Sequence, residues 1–217
     1  MPRDLSELMP PSSSLPQAPR VSGEPCRLIL ASASPRRKLL LIAAGYEIEI
    51  DPSDAVEHDP SIDEPVESYV ALLAWRKTSA VATRRTSGLV LGADTACAID
   101  GEILNKPIDR ADAERMIRLQ EGREIDIWTG LCLRRAGAGE WVGAVERSVC
   151  YFKPMTDEQR TAYLDSREWE GKAGGYGLQD DDPVVQITSG SWSNVVGLPL
   201  ERLAELLRAY PRLWRDV

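Results

Sequence analysis

The stretch LILASASPRRKLLL (residues 28–41) passes from an apolar strand into a helix through one Ser-Pro break, which commits the chain to an α/β arrangement. Ser34 suits the N-cap, where its hydroxyl accepts a free backbone N–H, and Pro35 suits the first turn, where a missing N–H costs nothing. Gly45 stands where a left-handed residue commonly closes a helix. Arg36 and Arg37 break the local rule. A helix N-terminus is partially positive, so two cations in its first turn are unfavourable unless they serve something else. A strand feeding a helix N-terminus is an anion site, because its unpaired N–H groups point outward. Guanidinium forks placed there can grip phosphate oxygens bidentately, although two surface arginines paired with carboxylates would give the same pattern.

Charge narrows the choice of anion. The 217 residues carry a formal charge of −8, which argues against a nucleic-acid polymer, whose binders usually present a basic face. Basic residues gathered on an acidic chain fit a small anion better. No run approaches the roughly 18 apolar residues of a membrane helix, and no continuous apolar segment marks a secretory signal. Cys26, Cys97, Cys132 and Cys150 form no C-x-x-C pair and read as reduced structural thiols of a cytoplasmic protein. His58, the single histidine, lies in the polar VEHDPSIDE and reads as a solvated loop residue, so histidine triads and multi-histidine metal sites have little support.

Residues 1–25 are rich in Pro and Ser without an apolar period and read as a disordered extension; 26–217 reads as one domain, with no repeat or linker. The pattern predicts strands near 27–32 and 46–51 around the first helix (35–44), then a helix near 66–83. SGLVLGADTACAIDGEILNKP reads as a strand, a turn at Asp100-Gly101 and a short return strand. Asp109 caps a helix ending near Gly122, and two long strands follow at 124–134 and 141–153. Thr156 and Gln159 form a capping box, and a last helix runs from about Pro199.

Asp94 and Thr95 in LGADT follow a strongly apolar strand, a favoured place for a metal ligand or general base. A turn-capping Asp would fit the same pattern equally well. Glu57 could supply a second carboxylate. Lys77 interrupts an apolar helix and Lys106 precedes Pro107; taken singly, each is more often a surface lysine. GKAGGYGLQ groups Lys172, four glycines, Tyr176 and Gln179. The glycines permit close backbone approach, and the Gln179 amide offers a donor and an acceptor to a planar base.

In order, LASASPRR, the Glu57 loop, LLAWRK, LGADTACAIDGEILNKP, GREIDIWTG, GKAGGYGLQ and NVVGLPL resemble the Maf family of nucleoside triphosphate pyrophosphatases, over about Leu28 to Leu207. The resemblance implies a mixed α/β fold with a curved central sheet in two lobes and a deep cleft, similar to the inosine-triphosphate pyrophosphatases. It implies cleavage of a nucleoside triphosphate between the α- and β-phosphates with a divalent cation, Mg²⁺ or Mn²⁺. Asp94 takes the proton-acceptor role, and Glu57 joins it at the metal. Arg36, Thr95 and Gln179 match positions tied to substrate choice; Ser34, Arg37, Lys77, Lys106 and Lys172 match phosphate-facing ones. The glutamine loop is similar to that of the branch acting on dTTP and UTP, and a homodimer is expected from relatives. Val56, Ile125 and Asp180 depart from the family pattern, and Asp180 adjoins the expected base reader. Two other classes stay open at this point: a nucleotide-binding regulator of septum formation without catalysis, and a phosphatase releasing orthophosphate.

Overall fold

Two long, apolar strands organise the molecule, and every other element is placed by how it meets them. The computed structural model describes residues 14–21, 23–60, 64–177 and 184–215. A small hairpin, β1 (Arg20–Val21) and β2 (Glu24–Pro25), precedes β3 (Arg27–Leu30), α1 (Pro35–Ala43), β4 (Glu47–Ile50) and α2 (Val66–Arg84). Then come β5 (Leu89–Ile99), β6 (Glu102–Leu104), α3 (Arg110–Gln120), β7 (Arg123–Arg135), β8 (Trp141–Phe152) and α4 (Asp157–Ser166). A 3₁₀ turn at Ala173–Gly175 leads to β9 (Val185–Ser189), α5 (Trp192–Val196) and α6 (Leu200–Ala209). The main sheet has the order β4-β3-β5-β7-β8-β9, with β6 also paired to β5. β4, β3 and β5 run parallel, and the remaining pairs are antiparallel. This is the mixed α/β sheet that the sequence predicts.

β5 and β7 pair from Leu89↔Arg135 to Ala98↔Asp126, and they serve two separate cores. Leu89, Leu91 and Ala93 of β5, with Leu131 and Leu133 of β7, pack with Leu28, Leu30, Leu40, Leu41, Leu203 and Leu207. Cys97 and Ile99 of β5, with Ile125 and Ile127 of β7, pack with Leu104, Ile117, Phe152, Leu164 and Trp169. The two lobes therefore share one pair of strands.

α2 crosses the opposite face and lies unusually close to it. A Cβ on Gly92 would stand 2.2 Å from Thr78 Oγ1, and one on Gly130 would stand 2.3 Å from the Val70 carbonyl oxygen. Larger residues at either position would push the helix off the sheet.

The predicted caps form. Ser34 Oγ accepts from Arg37 N, Asp109 accepts from Asp112 N, and Thr156 and Gln159 make both bonds of their capping box. Asp100 and Gly101 have φ of 51° and 84°, the mirror-image turn that joins β5 to β6 directly. β9 and α5 are elements that periodicity did not reveal. The expected extension differs from the structure over residues 14–25. Leu15 and Ala18 are buried in the first core, and Ala18 N donates to Ala44 O at 2.8 Å. Two apolar residues are too few to make a period, yet enough to dock the strand. Residues 1–13 lie outside the described residues.

Candidate functional site

A gap in the sheet makes the site. β3 ends opposite Leu91, and β6 takes up the same edge of β5 only at Cys97. Residues 92–96 therefore have one uncovered edge, with Asp94 and Thr95 at its middle. The gap opens into a cleft of about 780 Å³, within the range of small-molecule sites. Arg36, Arg37, Glu57, Lys77, Asp94, Thr95, Lys106 and Lys172 all line it. Five cations thus meet in one cleft of an acidic chain.

Asp94 pairs with Gly130 across the ladder and stands two residues from Gly92. All three share the face under α2, and the two glycines let the helix approach at the level of the carboxylate. Lys77 consequently reaches Asp94, its Nζ donating to Oδ1 at 2.5 Å and pairing with Glu57 Oε1 at 2.6 Å. Asp94 is only 7% exposed. Burial pushes the Glu57 carboxyl up, but the hydrogen bond and charge of Lys77, with Lys106 and Arg37, outweigh this and hold it below its ordinary value. Lys106 Nζ stands 3.8 Å from Glu57 Oε2.

Thr95 points to the other face, where Arg37 waits. Arg37 Nε donates to Gly197 O at 2.9 Å, Nη1 to Ser32 Oγ at 3.2 Å and Nη2 to Thr95 Oγ1 at 3.2 Å. Thr95 Oγ1 also meets Thr129 Oγ1 at 2.9 Å. Burial lowers the Arg37 pKa, with Asp94 opposing, but an arginine keeps its charge throughout. Three of a guanidinium's five N–H groups are thus spent on the protein, and two remain for a ligand. Arg37, expected to face phosphate, is a cross-link between three segments. Ser34 is likewise engaged, as the helix cap.

The far wall is made of loops. The 51–60 segment carrying Glu57 has no regular structure and is tied down by side chains. Arg84 and Arg85 clamp Asp51, and Arg84 Nη2 also donates to Pro52 O at 2.7 Å. His58 is not a solvated loop residue. Its Nδ1 accepts from Arg76 at 3.1 Å, which leaves Nε2 to donate to Glu64 at 3.2 Å. The Lys172 loop turns through Gly174 and Gly175 at φ 69° and 74°. A Cβ on Gly174 would stand 2.9 Å from Cys97 Sγ. Gly174 N donates to Asn105 O, Gln120 Nε2 to Gly174 O, and the Tyr163 hydroxyl to Gly175 O. Lys172 Nζ sits 5.7 Å over the Tyr163 ring. Gln179 and Asp180 lie outside the described residues. Ile125 is buried in β7 and lines the cleft, whereas Val56 is 83% exposed.

Sequence reading missed Tyr69, Asn105, Thr129 and the Gly197 carbonyl. Tyr69 reads only as one apolar residue on a helix face, and a backbone carbonyl has no sequence signal at all. The four cysteines are all free and buried, as their spacing predicts. Among the described residues no helix is long and apolar enough to cross a membrane, and no three His, Cys, Asp or Glu residues cluster as metal ligands.

Comparison with known proteins agrees with this geometry. The family model described as Maf-like protein matches residues 27–210. A dTTP/UTP pyrophosphatase of Rhodopirellula baltica is 48% identical over 191 residues, 87% of this chain and 84% of that protein. One of Salinibacter ruber is 44% identical over 85% of this chain and 91% of its own length. One of Symbiobacterium thermophilum is 41% identical, covering 85% and 94%. A solved nucleoside-triphosphatase / dITP/XTP pyrophosphatase of Mycobacterium abscessus aligns at TM-score 0.39 and 14% identity over 86% of this chain and 96% of that one, a likeness too slight to argue from. With the family's model spanning β3 to the end of α6 and relatives of up to 48% identity along most of its length, the chain belongs to the Maf family.

Proposed function

We propose that the chain hydrolyses a nucleoside triphosphate, dTTP or UTP or a modified pyrimidine nucleotide, to the monophosphate and pyrophosphate. The single observation that carries this reading is the Glu57–Lys77–Asp94 arrangement beside the N-terminus of α1. It places a buried carboxylate, a fixed ammonium and helix N–H groups within one cleft. The dTTP/UTP activity named for the relatives supports the choice of base.

Asp94 Oδ1 is held by Lys77, so Oδ2 is the atom that takes the proton from the attacking water. The water oxygen bonds to the α-phosphorus, the α–β bridging P–O bond breaks, and its electron pair leaves with pyrophosphate. Lys77, Lys106, Lys172, Arg36, the two remaining N–H groups of Arg37 and the α1 N-terminus neutralise the charge that grows there.

The donor set fits a divalent cation. Glu57 and the Asp94 oxygen that does not take the proton would hold it, and two hard oxygen donors suit Mg²⁺ or Mn²⁺ shared with substrate phosphates rather than caged by protein. Such a cation, when bound, supplies Lewis-acid polarisation of the phosphate. A cytoplasmic homodimer accompanies this reading by resemblance.

The test is product analysis over a panel of canonical and modified triphosphates with Mg²⁺ or Mn²⁺. Pyrophosphate with a pyrimidine preference is the expected result. Orthophosphate would make the chain a phosphatase, and neither product would make it a binding protein.

A further inference from the structure

The mechanism leaves Tyr69, a buried polar group at the cleft, unused. Tyr69, in the first turn of α2, is 3% exposed and lines the cleft. Its hydroxyl stands 3.1 Å from His58 O and 3.4 Å from Asn105 Oδ1. One phenolic proton cannot serve two acceptors. Turning the Asn105 amide over resolves the conflict, since the two ends of an amide are distinguished only by their partners. Asn105 Nδ2 then donates to Tyr69 Oη, which donates to His58 O.

Both ends of this relay adjoin working residues. His58 follows Glu57 on a segment without regular structure, and Asn105 precedes Lys106 at the end of β6. Asn105 O in turn accepts from Gly174 N at 3.1 Å, beside the Lys172 loop. The His58 ring packs edge-on against Tyr69, centroids 5.3 Å apart, so the ring fixes the loop's distance while the hydroxyl fixes its register. α2 also carries Lys77, eight residues further on, which holds the Glu57 carboxylate itself.

We propose that Tyr69 is a positioning residue: its hydroxyl sets Glu57 against Lys106 and, through Asn105, against the Lys172 loop. The inference rests on the proposed role of Glu57 at the reacting phosphates.

The test is Tyr69→Phe in the full chain, which removes one oxygen and keeps the ring that packs with Val66, Val70 and Leu73. The melting temperature should stay within a few degrees, and kcat/KM should fall about tenfold, the effect of one lost buried hydrogen bond. Amide exchange over residues 55–60 should quicken severalfold, a readout that needs no activity. In a Glu57→Gln background the same substitution should cost nothing further, whereas with Arg36→Ala it should multiply. Unchanged exchange at 55–60, or an equal loss in both backgrounds, would overturn the inference while leaving Glu57 in place. A Glu57→Gln enzyme with full turnover would remove Glu57 from the machinery, and Tyr69 with it. If the wild-type chain releases no pyrophosphate from any nucleotide, the exchange measurement still decides whether Tyr69 holds the loop.

Discussion

The two walls of the cleft hold their residues in different ways. On one wall, Asp94 and Thr95 sit on a strand paired along its length with β7, and Lys77 sits on a helix pressed to the sheet by Gly92 and Gly130. Arg37 is bonded there to three separate segments. On the other wall, Glu57 and Lys172 ride on irregular segments held by side-chain ties. The two walls do not divide phosphate from base in the proposed reaction, since Glu57 and Lys172 on the loop wall serve the triphosphate and its cation as Lys77 and Arg37 do on the fixed one. Phosphate geometry is the same in every nucleoside triphosphate and rewards a fixed frame, which the loop wall has to build from side-chain ties. The base is what varies, and loops can change their contacts without disturbing the core.

The hardest blow to the fixed wall is Asp94→Asn. It keeps the shape and removes the proposed proton acceptor, so turnover should fall at least about a hundredfold. The circular dichroism spectrum should be unaltered. A folded variant with near-normal kcat would remove Asp94 from the chemistry and leave the wall merely structural.

For Gln179, outside the described residues, the expected effect is one of choice. If the Gln179 amide pairs with a pyrimidine edge, Gln179→Glu presents only acceptors to the O4 oxygen of uracil or thymine. Losing a paired buried group costs about 1–3 kcal/mol, so dTTP and UTP should lose roughly ten- to hundredfold in kcat/KM. CTP should lose less, because its amino group can donate to the new carboxylate. A uniform loss over all bases would mean that the loop, rather than the reading of the base, was damaged.

The two arginines sharpen the contrast within a single helix turn. Arg37→Ala leaves Gly197 O and Thr95 Oγ1 short of a donor, which should cost about 2–3 kcal/mol and lower the melting temperature by about 4–12 °C. Arg36→Ala should lower the melting temperature less than Arg37→Ala does, since a cation at a helix N-terminus does not stabilise it, and should lower kcat/KM about tenfold. Matching melting curves for the two variants would mean that the cross-link through Arg37 contributes little.

How far the site was legible depends on the range over which each signal acts. The caps at Ser34, Asp109 and Thr156 and the turn at Asp100-Gly101 are decided by neighbours within four residues, and all form as read. Asp94 is conspicuous because it ends an apolar run. β9 and α5, five residues each, are too short to establish a period, and β9 is exposed along most of its length. The bridging place of Lys77 depends on Gly92 and Gly130, whose meaning appears only when a helix lies on them. Arg37 meets Gly197 across 160 positions of sequence, and His58 meets Arg76 and Glu64 only once α2 is in place. The site residues could be named from their motifs, whereas their supports come from tertiary packing.

The smallest expected effect separates the walls by pH. Asp51 anchors the start of the Glu57 segment, and the hydrogen bond from Arg84, reinforced by Arg85, holds its carboxyl below the ordinary value despite partial burial. A carboxyl depressed in the folded state stabilises the fold above its unfolded value, near 3.8, and loses that contribution as pH falls through the lower folded value. Asp51→Asn should therefore lower the melting temperature by about 3 °C at pH 6–8. The gap from wild type should narrow steadily below pH 4 as the wild-type carboxyl takes up its proton. The Arg37→Ala deficit rests on an arginine that does not titrate in this range, so it should persist where the Asp51→Asn deficit fades. A constant Asp51→Asn gap down to pH 3 would mean that shape, not charge, holds the loop to α2, and the loop wall would then be fixed in the same manner as the strand wall.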